Sequence, residues 1–188
     1  MKAVIFDLYG VLALNGWQAF RAKHLAHRPE LLSRFTELGR QVDAGLADYN
    51  ELISLVAKET GESEAAVRYQ LEHTLPNEEL LSYIRTNLKP YYQIGLLSNA
   101  SSTKVIDQIF TAEDEMLFDV MVLSHHTGLT KPDSRMYHTV AGRLAVEAED
   151  CLFVDDQARH VEGAIHAGMQ GHVFKGVADL ERYIEALG

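Results

Sequence analysis

One cysteine, no apolar run long enough to cross a bilayer and a deficit of positive charge set the first limits on this 188-residue chain. Cys151 lies in the apolar stretch CLFVDD, so neither an intramolecular disulfide framework nor a cysteine-based zinc site is available. No uninterrupted apolar segment approaches the roughly 18 residues of a membrane span. Asp7 interrupts the apolar N-terminal segment before it can serve as a signal-peptide core, and a cytoplasmic location is expected. Seventeen basic against 27 acidic residues leave a net charge of −10. That balance argues against nucleic acid and against anionic lipid as partners, because both would be repelled over most of the surface. A small anionic substrate is compatible with it wherever positive groups converge locally. Internal repeats, low-complexity segments, a Walker-type loop, a dinucleotide fingerprint and a nucleophile-elbow serine are all missing.

What is present is a series of five short apolar runs: AVIF at 3–6, YQIGLL at 92–97, DVMVLS at 119–124, CLFVD at 151–155 and GHVFK at 171–175. Helical patterns separate them: SSTKVIDQIF with Ser101 or Ser102 as N-cap, KPDSRMYHTVAGRLA after a Pro-Asp signal, and ARHVEGAIHAGM. Alternating strands and helices predict an α/β fold, a Rossmann-like parallel five-stranded sheet with right-handed crossovers. About 80 residues separate Leu12 from Tyr92, far more than a crossover needs. Within them, helices are expected from Pro29, over DYNELISLVAKETG up to Gly61, and from Ser63, before Pro76 and Asn77 introduce EELLSYIRTNL. Residues 15–75 are therefore expected to form an inserted helical cap, with 1–14 and 76–188 as the core domain.

Several expected strand ends carry reactive side chains: Asp7 after the first, Ser98 and Asn99 after the second, Asp155 and Asp156 after the fourth. Lys131 precedes the helix that follows the third. Ligands of open parallel sheets bind beyond the carboxyl ends of the strands, where strand order reverses. With the order 3-2-1-4-5, these residues converge on one crevice. Three carboxylates gathered there call for a cation, and oxygen ligands without Cys or paired His point to Mg²⁺. A serine hydroxyl, backbone N–H groups and a lysine ammonium beside it suit phosphate oxygens.

The segments FDLYGVL, LLSNAS, GLTKPDSRMY and FVDDQARHVEGAIHAGM, in this order, resemble the four motifs of the haloacid dehalogenase superfamily. The resemblance covers residues 1–14 and about 85–188; the insert matches in position and helical character. It implies Asp7 as nucleophile, Ser98 and Asn99 as positioners of the substrate's anionic group, and Lys131 as the offset to charge on the nucleophile. It further implies a Mg²⁺ ion held by Asp7, Asp156, Asp155 directly or through water, and the Tyr9 backbone carbonyl.

Two motifs pull in different directions. Tyr9 stands where phosphatases carry a second aspartate, the general acid; Asp-x-Tyr-Gly and Tyr137 in KPDSRMY are similar to the 2-haloacid dehalogenases. The paired acids Asp155 and Asp156 are similar to the metal-dependent phosphatases, apart from His160 in place of their usual Asn. The implied activity is Mg²⁺-dependent hydrolysis of a small phosphomonoester through an aspartyl-phosphate. Dehalogenation through an aspartyl-ester comes second and a catalytically silent binding protein third. His160, His125 and His126 are expected to cap, pack or face solvent, and nothing in the sequence selects among Arg21, Arg28, Arg34 and Arg40 as a substrate contact.

Overall fold

The computed structural model describes residues 1–43, 47–100 and 104–187, apart from the side chains of 40, 42 and 43. Ser101 and Ser102, the expected N-caps, and the Arg40 side chain lie outside the described residues. The strands are β1 (Ala3–Phe6), β2 (Ala13–Leu14), β3 (Leu75–Pro76), β4 (Gln93–Ser98), β5 (Val120–Leu123), β6 (Cys151–Asp155) and β7 (Gln170–Val173). Five of them form one sheet in the order β5-β4-β1-β6-β7, the order 3-2-1-4-5 anticipated for the main strands. All four pairings are parallel. The helices are α1 (Gly16–His24), α2 (Pro29–Asp43), α3 (Tyr49–Thr60), α4 (Glu64–Glu72), α5 (Glu78–Tyr83), α6 (Lys104–Ile109), α7 (Ala112–Glu115), α8 (Ser124–Thr127), α9 (Ser134–Leu144), α10 (Ala158–His166) and α11 (Val177–Leu187). The run expected as one helix over EELLSYIRTNL widens after α5 into a π-helical turn, Ile84–Leu88.

β1 explains why the sheet is a two-sided layer. Val4 and Phe6 belong to one apolar cluster, with Leu80, Ile84 and Leu180, and Ala3 and Ile5 to the other, with Met136, Val140 and Ala164. All four β1 residues are fully buried. Period-two alternation therefore buries both faces, and each large side chain adds ~1.5–3 kcal/mol of transfer free energy, an upper estimate.

The chain divides into two compact units, residues 1–13 with 76–188 and residues 14–75. The second has its own core, centred on Phe20, Phe35, Ile53, Val56 and Val67. Its helix ends follow local chemistry. Asp48 caps α3 on the N–H of Asn50 and Gly61 closes it at φ 77°, while Ser63 caps α4 on the N–H of Ala66. α1 was not anticipated, although Asn15 and Gln18 form a reciprocal capping box at its start. Among the described residues, no helix is long and apolar enough to cross a membrane.

Candidate active site

Asp7 is the first residue beyond β1. Its backbone N–H still donates to the carbonyl of Val154 in β6 at 2.9 Å, so the side chain leaves the sheet at the carboxyl edge of its central strand. The chain then turns tightly: Leu12 N–H returns to the Asp7 carbonyl and Ala13 N–H to that of Leu8. Gly10, at φ 83°, is required twice over. Its backbone is left-handed, and a Cβ there would collide with the Asp156 carboxylate. The turn at 7–13 and the end of β6 are thus fitted against each other through a missing side chain.

Lys131 reaches this edge from the segment between α8 and α9. Asn99, just past β4, holds it there: its Oδ1 accepts from Lys131 N–H at 2.7 Å and its Nδ2 donates to the Lys131 carbonyl at 3.2 Å. Both polar atoms of the Asn99 amide are engaged, which makes it a clamp on the lysine. The second Nδ2 hydrogen is not used by these two bonds. The Lys131 ammonium stands 2.7 Å from Asp7 Oδ1 and 2.7 Å from Asp155 Oδ2, with its Nζ 5.3 Å from the centroid of the Phe153 ring. All three charged groups are buried.

This arrangement modifies the charge argument made from the sequence. Lys131 already compensates two of the three carboxylates, and Asp156, exposed and against Gly10, is the one it does not bond. Burial works against ionised Asp155, but the charge and hydrogen bond of Lys131, the Gln157 N–H and His160 outweigh it and hold the group below the usual carboxylate range. Burial likewise opposes ionisation of Asp7; Lys131 counters, Asp155 adds to the burden, and the carboxyl is pushed up to about 7. Both Leu8 N–H, at 2.6 Å, and Lys131 engage Asp7 Oδ1. Oδ2 takes neither bond. Asp156 is raised by partial burial and then by the neighbouring Asp155 charge.

Ser98 ends β4 fully buried, and its hydroxyl has no hydrogen-bond partner among the described residues. An orphaned buried hydroxyl costs about 1–3 kcal/mol unless something else meets it. Tyr9 is 44% exposed, and burial of part of its ring and then the Asp7 charge raise the phenol above its ordinary value. It stays protonated at neutral pH and can donate a hydrogen bond, but it cannot act as a base there.

From its spacing, His160 is expected only to cap or pack. In the fold it is buried, with Nδ1 at 3.1 Å and 3.2 Å from the two Asp155 oxygens. Its separation of five residues from Asp155 across the start of α10 was the available signal. Tyr137 is buried beneath it: its hydroxyl donates to the His160 carbonyl at 2.7 Å, and its ring meets Phe153 edge-on. His125 and His126 are exposed on α8 with ring centroids 3.8 Å apart. Among the candidate arginines, Arg28 donates to the Glu59 carbonyl and Arg34 pairs with its carboxylate, while Arg21 is exposed.

Ligand atoms of Asp7, Asp155 and His160 lie within 4.8 Å of one another, and the Lys131 ammonium stands 2.7 Å from both carboxylates of this cluster. The model of the haloacid dehalogenase-like hydrolase family matches residues 1–168. The chain belongs to that family. A phosphatase of Mycobacterium tuberculosis is 32% identical to it over 141 residues, 73% of this chain and 58% of the phosphatase. The chain thus spans little more than half the length of that relative. An (S)-2-haloacid dehalogenase of Pseudomonas fluorescens is 25% identical over 191 residues, covering 89% of this chain and 82% of that one. A HAD family enzyme of Bacteroides thetaiotaomicron, crystallised with magnesium and inorganic phosphate, superposes with a TM-score of 0.56 at 19% identity over 93% of this chain and 94% of its own. At that identity the likeness establishes the shared fold.

Proposed function

We propose that this hydrolase cleaves a small phosphomonoester, with Asp7 as nucleophile and Mg²⁺ as cofactor. The observation that carries this reading is Asp156: an exposed carboxylate set against Gly10, beside the Asp7 turn, that Lys131 does not neutralise. Asp156, Asp7 and the Tyr9 carbonyl would supply an all-oxygen donor set, the chemistry Mg²⁺ requires. Asp155 would contribute indirectly, since its oxygens already serve Lys131, Gln157 and His160. The Mg²⁺-phosphate complex of the Bacteroides enzyme supports the assignment by analogy.

The residues of the chain then divide the work. The buried Ser98 hydroxyl donates to a phosphoryl oxygen, and the Lys131 ammonium holds Asp7 in place while offsetting charge at the reacting centre. Asp7 Oδ2 attacks phosphorus, the bond to the ester oxygen breaks, and the departing alkoxide takes a proton from the Tyr9 hydroxyl or from solvent. Water then cleaves the aspartyl-phosphate, releasing phosphate and restoring the carboxylate, and the proton the water loses returns to the Tyr9 phenolate or passes to solvent. Bound Mg²⁺ would supply countercharge for the phosphoryl oxygens and for Asp7.

Calorimetry tests the metal directly. Wild type is expected to bind Mg²⁺, and Asp156→Asn to weaken that binding about 10-fold or more; wild type that binds none, with or without a phosphate analogue, removes the main support.

Tyr9 favours a second reading, hydrolysis of a 2-haloacid through an aspartyl-ester, as does the likeness to (S)-2-haloacid dehalogenase. Tyr9→Asp separates the two. In a phosphatase it restores a general acid, which matters most for a strongly basic alkoxide and least for a stabilised phenolate. Hydrolysis of sugar phosphates should therefore rise more than that of an aryl phosphate, toward the lower end of the ~10²–10⁴-fold range of acid–base catalysis. Equal losses for both substrates, with halide released from a 2-haloacid by wild type, would establish the second reading instead.

A further inference from the structure

We propose that His160 is a positioning residue that acts through Nδ1 alone: it braces Asp155 so that Asp155 and Asp7 together keep the Lys131 ammonium at the reacting edge. The inference rests on the proposed placement of Asp7 and Lys131 in the active site. Its own support is the contrast between the two ring nitrogens. Nδ1 lies 3.1 Å from Asp155 Oδ2 and 3.2 Å from Oδ1, while Nε2 is buried with no partner among the described residues. One edge of the imidazole is engaged and the other is idle.

The support is fixed from both sides. Tyr137, at the second turn of α9, donates its hydroxyl to the His160 carbonyl at 2.7 Å. A Cβ on Gly163 would come within 2.8 Å of that hydroxyl and 2.7 Å of the Pro132 Cβ, so α10 can approach Tyr137 this closely because residue 163 has no side chain. Backbone and ring of His160 thus transmit the placement of α10 to Asp155. Asp155 in turn meets Lys131 at 2.7 Å, and Lys131 meets Asp7 at 2.7 Å.

The stereochemistry supplies a selective test. Histidine Nδ1 is attached to Cγ, as is the amide nitrogen of asparagine, so His160→Asn can place a donor where Nδ1 stands. Glutamine carries its amide one carbon further out, near the idle Nε2. His160→Leu removes both.

The experiment compares wild type with His160→Asn, His160→Gln and His160→Leu by crystallography, thermal melting and turnover of p-nitrophenyl phosphate. In His160→Asn, the Lys131–Asp155 contact should persist and kcat stay within about threefold of wild type. In His160→Gln and His160→Leu, Asp155 should rotate and kcat fall about 10–100-fold with KM little changed, the usual cost of losing an outer-shell support. Retention by glutamine with loss by asparagine would assign the work to Nε2 and overturn the proposal. So would kcat losses that track melting temperature across all three variants, or an unmoved Lys131–Asp155 contact in His160→Leu. The last readout needs no turnover, so it decides the role of His160 even if wild type releases no phosphate and the proposed substrate class fails.

Discussion

Asp7→Asn is expected to reduce hydrolysis at least about 10³-fold while leaving the protein folded, because an amide oxygen is a far weaker nucleophile than a carboxylate. The substitution is nearly isosteric, and its carbonyl oxygen can still accept from Leu8 N–H and Lys131. A stability measurement in chelator guards against mistaking unfolding for lost chemistry, and its sign is set by the environment of Asp7. Burial, against the pull of Lys131 and with the push of Asp155, raises the folded-state carboxyl from 3.8 to about 7. Between those two values the folded state binds more protons than the unfolded one. The contribution of Asp7 to stability is therefore full below about pH 4 and is lost as pH rises through 7. Asp7→Asn removes that loss. The variant should be more stable than wild type at pH 8, by of the order of 1–4 kcal/mol at ~1.4 kcal/mol per pKa unit, with the difference closing toward pH 4. Parallel denaturation curves at the two pH values check this. Undiminished turnover by the variant, for any leaving group, would remove Asp7 from the nucleophile's role.

Lys131→Met carries the opposite expectation, a large loss of stability. The ammonium is the shared partner of two buried carboxylates at 2.7 Å each, and methionine fills a similar length without charge. Removing one member of a buried ionic cluster costs about 3–5 kcal/mol, since what remains is uncompensated charge. In a chain of this size that is a fall in melting temperature of about 6–20 °C. The deficit should shrink at pH 5, where Asp7 can take up a proton and one of the two stranded charges disappears. Denaturant titrations in chelator at pH 7.5 and pH 5 measure both quantities. A loss below about 1 kcal/mol at pH 7.5 would mean that something other than Lys131 neutralises the pair.

The readability of this fold from its sequence was uneven for physical reasons. Strands buried on both faces leave continuous apolar runs, and AVIF and CLFVD were bounded correctly because charged or turn-forming residues end them. Runs that fade into half-buried edges were less sharp: YQIGLL lies within one residue of Gln93–Ser98 at each end, and GHVFK overlaps Gln170–Val173 only in part. α7, α8 and α11 were not anticipated; the first two are only four residues long, too short for periodicity to register. In the candidate site, residue types and order were visible, because chemistry at strand ends interrupts apolar runs. Partnership was not. No pattern shows that the Asn99 amide is spent on the Lys131 backbone, or that the ammonium of Lys131 lies between two acids 148 positions apart (155 − 7). The same limit applied to His160, whose helical spacing is equally that of a packing residue.

The place of β1 at the centre of the sheet also bears on how the molecule comes into being. During synthesis residues 3–6 emerge well before their partners, residues 93–96 on one side and 151–154 on the other. For half the length of the chain the most apolar strand has no neighbour, and such unpaired strands are sites where nascent proteins aggregate. The next segment to leave the ribosome, residues 14–75, has a core of its own. It can fold while β1 waits, and it shortens the effective loop that must close before β4 docks. The four apolar residues that end at Asp7 are thus a deferred commitment. Both neighbours of β1, and the charged edge built beside it, are in place only when β6 arrives.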